Sequence, residues 1–121
     1  MEDTAKSELV IDLAKLLDEH NGADTVVLDI RNQSSWTDYF VITTATSAAH
    51  MQGLSRNILE FLKERSVTPR RRRKRIVDDS WLLIDCGDFV IHVMSEDARA
   101  FYELERLWFG GDAVFHSSKS S

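Results

Sequence analysis

The chain has 121 residues, of which 43% are hydrophobic and 29% are charged, a composition typical of one ordinary globular domain. A chain of this length buries roughly two-thirds of the surface that it exposes when unfolded, so it forms a core without disulfide or metal support. Cys86 is the only cysteine, which excludes an internal disulfide and fits a reducing compartment. There is no apolar run of the ~18 residues that a membrane-spanning helix needs, and no signal-peptide pattern. We therefore expect a cytoplasmic protein that does not bind membranes.

The net charge of -5 conceals an uneven distribution of charge. Six consecutive basic residues run from Arg70 to Arg75, and the rest of the chain carries nine basic and twenty acidic side chains. Residues 76–112 contain nine acidic side chains and two basic ones, Arg99 and Arg106. An acidic surface of this kind favours a basic partner and steers it during association. Acidic surfaces also serve solubility alone, and the composition does not separate the two roles.

The first half of the chain predicts a helix, two strands and a second helix. Four leucines in residues 5–20 have the spacing of an amphipathic helix. Residues 25–30 and 38–44 are rich in branched and aromatic side chains and predict two paired strands. Thr46 and Ser47 are capping residues that open a helix, and the apolar side chains of that helix form one buried stripe.

The stretch from Trp81 to Met94 predicts the centre of a sheet. Two apolar runs are joined by Asp85-Cys86-Gly87-Asp88, which is the pattern of a β-hairpin. The second run is apolar on both faces, as is typical of a central strand covered by helices. The preceding basic run, 70–75, fits an edge strand or an exposed loop, because charged edges deter aggregation.

A last helix is predicted to begin at Ser95, with two acidic residues in its first turn. Phe101, Leu104, Leu107 and Trp108 lie along one apolar stripe of this helix. The fold class is therefore α/β (α+β), with a mixed sheet of about five strands flanked by helices. We expect a single domain over residues 1–112 and a flexible C-terminal tail over residues 113–121.

Motifs for catalysis or metal binding are missing from the sequence. The four histidines are scattered, and no phosphate-binding loop, dinucleotide fingerprint or nucleophile elbow occurs. Asp38, Asp85 and Asp88 could together hold a divalent ion, but aspartates at turns more often bond to their own backbone. His92 lies on an apolar strand face, where a buried, hydrogen-bonded histidine is the default. We expect no catalytic residue, no metal and no cofactor.

Aromatic and acidic residues near the end of the chain indicate binding instead. Tryptophan, tyrosine and arginine dominate protein–protein hot spots, and Trp81, Tyr102, Arg106 and Trp108 stand among many acidic residues. Aromatic anchors inside an acidic rim suit a basic protein surface. The alternative for each tryptophan is that it only covers the core.

Four segments of the chain together resemble the motifs of one protein family. They are Ser-Ser-Trp-Thr-Asp-Tyr-Phe-Val-Ile at 34–42, Ala-Thr-Ser-Ala-Ala-His at 45–50, the predicted hairpin at 81–93, and Tyr-Glu-Leu-Glu-Arg-Leu-Trp at 102–108. In this order and spacing they are similar to the ribosomal silencing factor family, also called Iojap. The likeness extends from about Ser7 to Trp108.

The resemblance implies a non-enzymatic factor that binds the large ribosomal subunit through ribosomal protein L-fourteen. Members of the family block joining of the small subunit and so repress translation when nutrients are scarce. The resemblance also implies a nucleotidyltransferase-like sheet without the catalytic motif, and a homodimer when the protein is free. Two positions depart from the family pattern: Arg72-Arg73-Lys74 stands where a Glu-Gly pair is usual, and Ala45 replaces a glycine.

From the motifs and the charge pattern we select two sets of candidate residues. The expected partner-binding residues are Trp81, Leu82, Asp85, Asp88, His92, Glu103, Arg106 and Trp108. The expected contact with neighbouring ribosomal RNA consists of Arg70, Arg71, Arg72, Arg73, Lys74 and Arg75. Two alternatives stay open: a metal-dependent, nucleotidyltransferase-like enzyme built on the three aspartates, and a general RNA-binding protein that acts through the basic run.

Overall fold

A six-stranded mixed sheet with helices on both faces forms the part of the chain that the computed structural model describes, residues 3–74, 80–102 and 112–116. The helices are α1 (Asp3–Glu19), α2 (Ala48–Glu64) and α3 (Glu96–Tyr102). The strands are β1 (Ala23–Asp29), β2 (Tyr39–Ala45), β3 (Arg71–Lys74), β4 (Trp81–Asp85), β5 (Phe89–Ser95) and β6 (Asp112–His116). The predicted α/β class with a mixed, helix-flanked sheet is confirmed. None of the described helices is long and apolar enough to cross a bilayer.

The strands lie in the order β3-β4-β5-β2-β1-β6. β2 and β5 are parallel, with Tyr39 opposite Phe89 and Ala45 opposite Ser95, and the other neighbouring pairs are antiparallel. The predicted pairing of β1 with β2 and the predicted hairpin of β4 and β5 are both confirmed. Because β2 and β5 are parallel, their N-terminal ends lie side by side. The residues that precede the two strands, Asp38 and Asp88, are therefore close together.

One face of the sheet is covered by α1 and α2 and holds the larger part of the core. α1 contributes Leu13 and Leu17, and α2 contributes Leu54 and Ile58, all with at most 1% of their surface exposed. Each side chain of this size stabilises the fold by about 1.5–3 kcal/mol when it is fully buried. The apolar spacing that predicts the two helices thus also predicts their buried faces correctly.

The other face of the sheet packs against α3 and has its own apolar cluster. Its buried members are Val26, Leu28, Ile30, Phe40, Ile42, Val90, Met94 and Ala98, and Trp81 and Leu83 pack against them while half-buried. β5 lies between β4 and β2, and its residues 89–94 are buried on both faces. The prediction that this strand is central is therefore confirmed. We call this side of the sheet the α3 face.

One prediction for the C-terminal part differs from the structure. Residues 112–116, placed in or next to the flexible tail, form β6, which pairs with β1 and extends the sheet past the predicted domain end. Phe115 of β6 packs against the main core, which explains why these residues join the sheet. Phe101, on the apolar stripe of the predicted last helix, is 79% exposed. Residues 103–111 and 117–121 lie outside the described residues.

The basic run begins on an edge of the sheet, as predicted. Arg71 to Lys74 form β3, which is the first strand in the order of the described sheet and has β4 as its one neighbour there. The register places Arg71 opposite Asp85 and Arg73 opposite Leu83. Arg75 lies outside the described residues.

Candidate protein-binding surface

Trp81 is held at the start of β4 by a hydrogen bond to the neighbouring strand. Its indole Nε1–H donates to Nδ1 of His92 at 3.1 Å, and the two ring centroids are 5.8 Å apart. Trp81 is half-buried, while His92 is only 4% exposed. The buried imidazole therefore fixes the orientation of a tryptophan that keeps part of its surface open to solvent.

His92 is a neutral imidazole at physiological pH. Burial lowers the pKa of His92 from 6.5 to about 4, because the apolar surroundings disfavour the charged ring. Since Nδ1 accepts the bond from Trp81, the single proton of the neutral ring is on Nε2. Nε2 is buried and has no hydrogen-bond partner among the described residues. His92 is thus buried, as expected, and it is hydrogen-bonded through Nδ1.

The contact between Trp81 and His92 continues across the sheet as a row of rings. Phe40 of β2 meets His92 edge to face, with centroids 4.7 Å apart, and Trp36 packs on Phe40 at 5.9 Å. We call Trp36, Phe40, His92 and Trp81 the aromatic row. Trp36 is 58% exposed and was missed among the candidate residues. The signal that could have found it is a tryptophan placed in an otherwise polar turn, Asn32 to Ser35.

Leu82 does not share this surface. It alternates with Trp81 along β4, so it points to the opposite face, where it is 2% exposed in the core under α1 and α2. Its side chain can support the fold but cannot contact a partner directly. Leu83, by contrast, lies on the α3 face and is half-buried beside the aromatic row.

Asp85 and Asp88 flank the turn of the hairpin and play different parts. Oδ1 of Asp85 accepts a hydrogen bond from the backbone N–H of Gly87 at 2.8 Å, which is the local turn bond expected of an aspartate. Gly87 has a φ of +84°, a conformation that suits glycine. Asp88 is exposed, and its Oδ1 lies 3.7 Å from the ammonium of Lys6. Asp88 therefore presents a carboxylate at the surface whose charge is partly compensated.

Arg70 lies against this same turn. A Cβ atom on Gly87 would be 3.0 Å from Nε of Arg70, so the guanidinium covers the glycine closely. The backbone N–H of Arg70 also donates to the carbonyl of Asp85 at 2.7 Å. The first residue of the basic run is therefore anchored to the hairpin, although it is exposed. Glu103, Arg106 and Trp108, the other predicted partner-binding residues, lie outside the described residues.

Cys86 in the turn is a packing residue. It is half-buried against the main core, and burial, with the adjacent charge of Asp85, raises the pKa of its thiol to about 12. A thiol with this pKa is protonated at neutral pH and is a poor nucleophile. This environment makes Cys86 an unreactive residue of the turn.

A family model described as "Ribosomal silencing factor during starvation" matches residues 3–120 of the chain. The chain belongs to this family. Ribosomal silencing factor RsfS of Haemophilus influenzae is 34% identical over 100 residues, which cover 83% of this chain and 97% of the relative. A Mus musculus protein named "Mitochondrial assembly of ribosomal large subunit protein 1" is 36% identical over 99 residues, which cover 79% of this chain and 43% of that protein.

The fold is shared with solved structures as well. The crystal structure of a protein from Chromobacterium violaceum matches with a TM-score of 0.77 and 28% identity. The match covers 100% of this chain and 97% of that structure. The resemblance drawn from the four sequence segments is therefore confirmed.

Two aspartates of the silencing-factor motifs are bound to a buried lysine. Lys6 of α1 is 7% exposed, and its ammonium pairs with Asp38 and lies 3.7 Å from Oδ1 of Asp88. The backbone N–H of Asp38 also donates to the carbonyl of Asp88 at 2.9 Å. The ammonium thus occupies the position where a cation shared by these carboxylates would lie. No cluster of three metal-ligating side chains occurs within the described ranges.

The Thr-Ser-x-x-His turn of the silencing-factor motifs ties α2 to α1. The backbone N–H of Thr46 donates to Nδ1 of His50 at 3.0 Å, and Nε2 of His50 lies 2.9 Å from the carbonyl oxygen of His20. Ser47 caps α2 by accepting from the backbone N–H of His50 at 3.0 Å. His50 has a structural role.

Proposed function

We propose that this protein binds the large ribosomal subunit through ribosomal protein L-fourteen and prevents the small subunit from joining, which represses translation. Family membership supports a role on the ribosome, and the name of the mouse relative refers to its large subunit. The observation that carries the proposal in this chain is Trp81, which is fixed by buried His92 while its ring stays half-open to solvent.

A fixed aromatic side chain suits an anchoring role. A tryptophan that is already oriented loses little conformational freedom on binding, so more of its contact energy appears as affinity. Such anchors are surrounded by residues that mainly exclude water. Half-buried Leu83, two residues along β4 from Trp81 and on the same α3 face, is the described residue of the hairpin best placed for that supporting role.

The charge of the chain supports a basic partner. Outside the run Arg70–Arg75, acidic side chains outnumber basic ones by twenty to nine. Such an excess speeds association with a basic protein and makes its rate fall as salt rises. We propose that the basic run, of which Arg71–Lys74 form the edge strand β3, contacts ribosomal RNA beside the protein partner, which would make binding more strongly salt-dependent.

Silencing of this kind needs no chemical step. A rigid body bound at the surface where the subunits meet excludes the small subunit by volume alone, through an interface of about 1,200–2,000 Å² in total. We therefore propose a factor that is not an enzyme, with no cofactor. The nucleotidyltransferase-like alternative would need a metal at Asp38, Asp85 and Asp88, but Lys6 pairs with the first and the last of these, and Asp85 bonds to its own turn. We further propose a cytoplasmic location and a homodimer in the free state, as the family resemblance implies.

Direct binding to purified L-fourteen tests the proposal. We expect Trp81→Ala to weaken binding by tenfold or more, the effect of losing a hot-spot tryptophan. Glu60→Ala is the control, because Glu60 is exposed on α2, on the other side of the sheet. Binding that is absent in the wild-type protein, or equal in the wild type and Trp81→Ala, would contradict the proposal.

A further inference from the structure

Trp36 is exposed, yet the loop that carries it is well ordered by hydrogen bonds. The backbone N–H groups of Trp36 and Thr37 both donate to Oγ of Ser34 at 3.2 Å. The N–H groups of Gln33 and Ser34 both donate to the carbonyl of Ile30 at 2.9 Å. The loop between β1 and β2 therefore presents the tryptophan in one backbone conformation.

The ring of Trp36 is also connected to the surface proposed above. It packs on Phe40, Phe40 packs on His92, and His92 accepts the hydrogen bond of Trp81. These residues follow one another across the adjacent strands β2, β5 and β4 on the α3 face. The aromatic row thus has a partly open tryptophan at each end and buried rings between them.

We propose that Trp36 is a second anchor for the same large-subunit protein that Trp81 contacts, so that the docking surface extends along the whole aromatic row. This inference rests on the proposed function. Neighbouring strands are ~4.8 Å apart, so a row across three strands fits inside the ~800 Å² that one partner contributes to a standard interface. Two rigid aromatic anchors in one patch are what a hot-spot cluster requires.

The electrostatics of the loop agree with a basic partner. Arg31 is the only cationic residue between Ile30 and Asp38. Its guanidinium forms a bidentate pair with Asp29, with contacts of 2.9 and 2.6 Å, so its charge is compensated. The loop therefore offers a basic protein an aromatic surface without uncompensated positive charge from Arg31.

A solitary exposed tryptophan is common on protein surfaces and by itself indicates nothing. Trp36 differs from such a solitary tryptophan in two respects. Its backbone is fixed by Ser34, and its ring is joined to a surface that already contains a proposed anchor. A tryptophan that only covers the core would need neither 58% of its surface exposed to solvent nor a loop held by hydrogen bonds.

The test compares Trp36→Ala, Ser35→Ala and Trp81→Ala for binding to purified large subunits and to L-fourteen. Ser35 is the exposed neighbour in the same loop and controls for disturbance of the loop. We expect Trp36→Ala to raise the Kd by about tenfold or more and Ser35→Ala to leave it unchanged. If Trp81→Ala loses affinity while Trp36→Ala binds like the wild type, the second anchor is wrong and the proposed function stands. If the wild type does not bind at all, the proposed function itself fails.

Hydroxyl-radical footprinting gives a second readout that needs no variant. Oxidation of Trp36 in the wild-type protein is measured by mass spectrometry with and without the large subunit. We expect bound protein to be protected at Trp36, while Phe61, half-buried on α2, keeps its reactivity. Unchanged oxidation of Trp36 in the bound protein would overturn the inference.

Discussion

The indole N–H of Trp81 donates to Nδ1 of His92 across β4 and β5, at 3.1 Å. This one bond joins a buried side chain to a partly exposed one on the α3 face, because His92 is 4% exposed and Trp81 is half-buried. It also fixes the protonation state of the imidazole, since an Nδ1 that accepts a bond carries no proton.

We predict that the bond couples the two residues in stability. Trp81→Phe removes the donor and leaves both ring nitrogens of His92 buried without a partner among the described residues, which should cost about 1–3 kcal/mol. His92→Phe removes the unpaired groups as well, so the double variant should recover part of that loss. Urea unfolding of the four proteins measures the coupling as a double-mutant cycle. Strictly additive effects would show that the hydrogen bond contributes nothing.

Acid should destabilise the protein through His92. The pKa of His92 is 6.5 in an unfolded chain and about 4 in the fold, lowered by burial. Between these two pH values the unfolded chain binds a proton that the folded chain does not, so stability falls as the pH drops from about 6.5 to about 4. The loss across that window is about 3 kcal/mol. Unfolding measured at several pH values should show a steeper decline for the wild type than for His92→Phe, and parallel curves would contradict the assignment.

Lys6 should be among the most important charged residues for stability. Lys6→Met keeps the buried stem but removes the ammonium from Asp38 and Asp88, and we expect a loss of about 1–3 kcal/mol, because two close carboxylates lose their counter-ion. Lys15→Met is the matched control, since Lys15 is exposed on the same helix and should change stability by less than about 0.5 kcal/mol. Thermal unfolding measures both. Equal stability of the two variants would mean that the ion pairs with Lys6 are not needed.

Neutralising the basic run should act on salt dependence. If Arg70 to Arg75 contact ribosomal RNA, replacing all six with glutamine lowers the slope of log affinity against log salt for the large subunit by roughly one unit per lost phosphate contact. Trp81→Ala should lower affinity and leave that slope unchanged. Binding assays at several salt concentrations separate the two terms. A slope that the glutamine variant leaves intact would remove the RNA contact, and tight binding of the wild type to unrelated RNA would favour the general RNA-binding alternative.

Much of the fold could be predicted because its strongest signals are local. Two apolar runs around Asp85-Cys86-Gly87-Asp88 predict the hairpin of β4 and β5. The spacing of leucines predicts α1, and the spacing of mixed apolar residues predicts α2. β6 was missed because five residues between a Gly-Gly pair and a serine-rich end carry a weak pattern, and only pairing with β1 makes them a strand. Phe101 has the helical spacing of a core residue but lies on the open side of α3.

The candidate surface was harder to predict, because it depends on contacts between distant segments. Leu82 is buried and Trp81 is half-buried because their side chains lie on opposite faces of the sheet. The alternation along β4 shows that the two faces differ, but it does not show which face is covered by helices α1 and α2. Lys6 reads as one more polar residue of α1 until the fold brings it to Asp38, 32 residues away. Trp36 lies in a polar turn, and its connection to Trp81 passes through Phe40 and His92 on two other strands.

Whether this protein prevents the two ribosomal subunits from joining can be measured with purified components. Purified small and large ribosomal subunits are mixed with and without this protein and separated on a sucrose gradient. We predict that the wild-type protein travels with the large subunit and that joined particles fail to form, while Trp81→Ala restores joining and Glu60→Ala does not. If the protein stays at the top of the gradient and the subunits join normally, the account of this chain as a factor that blocks subunit joining is contradicted.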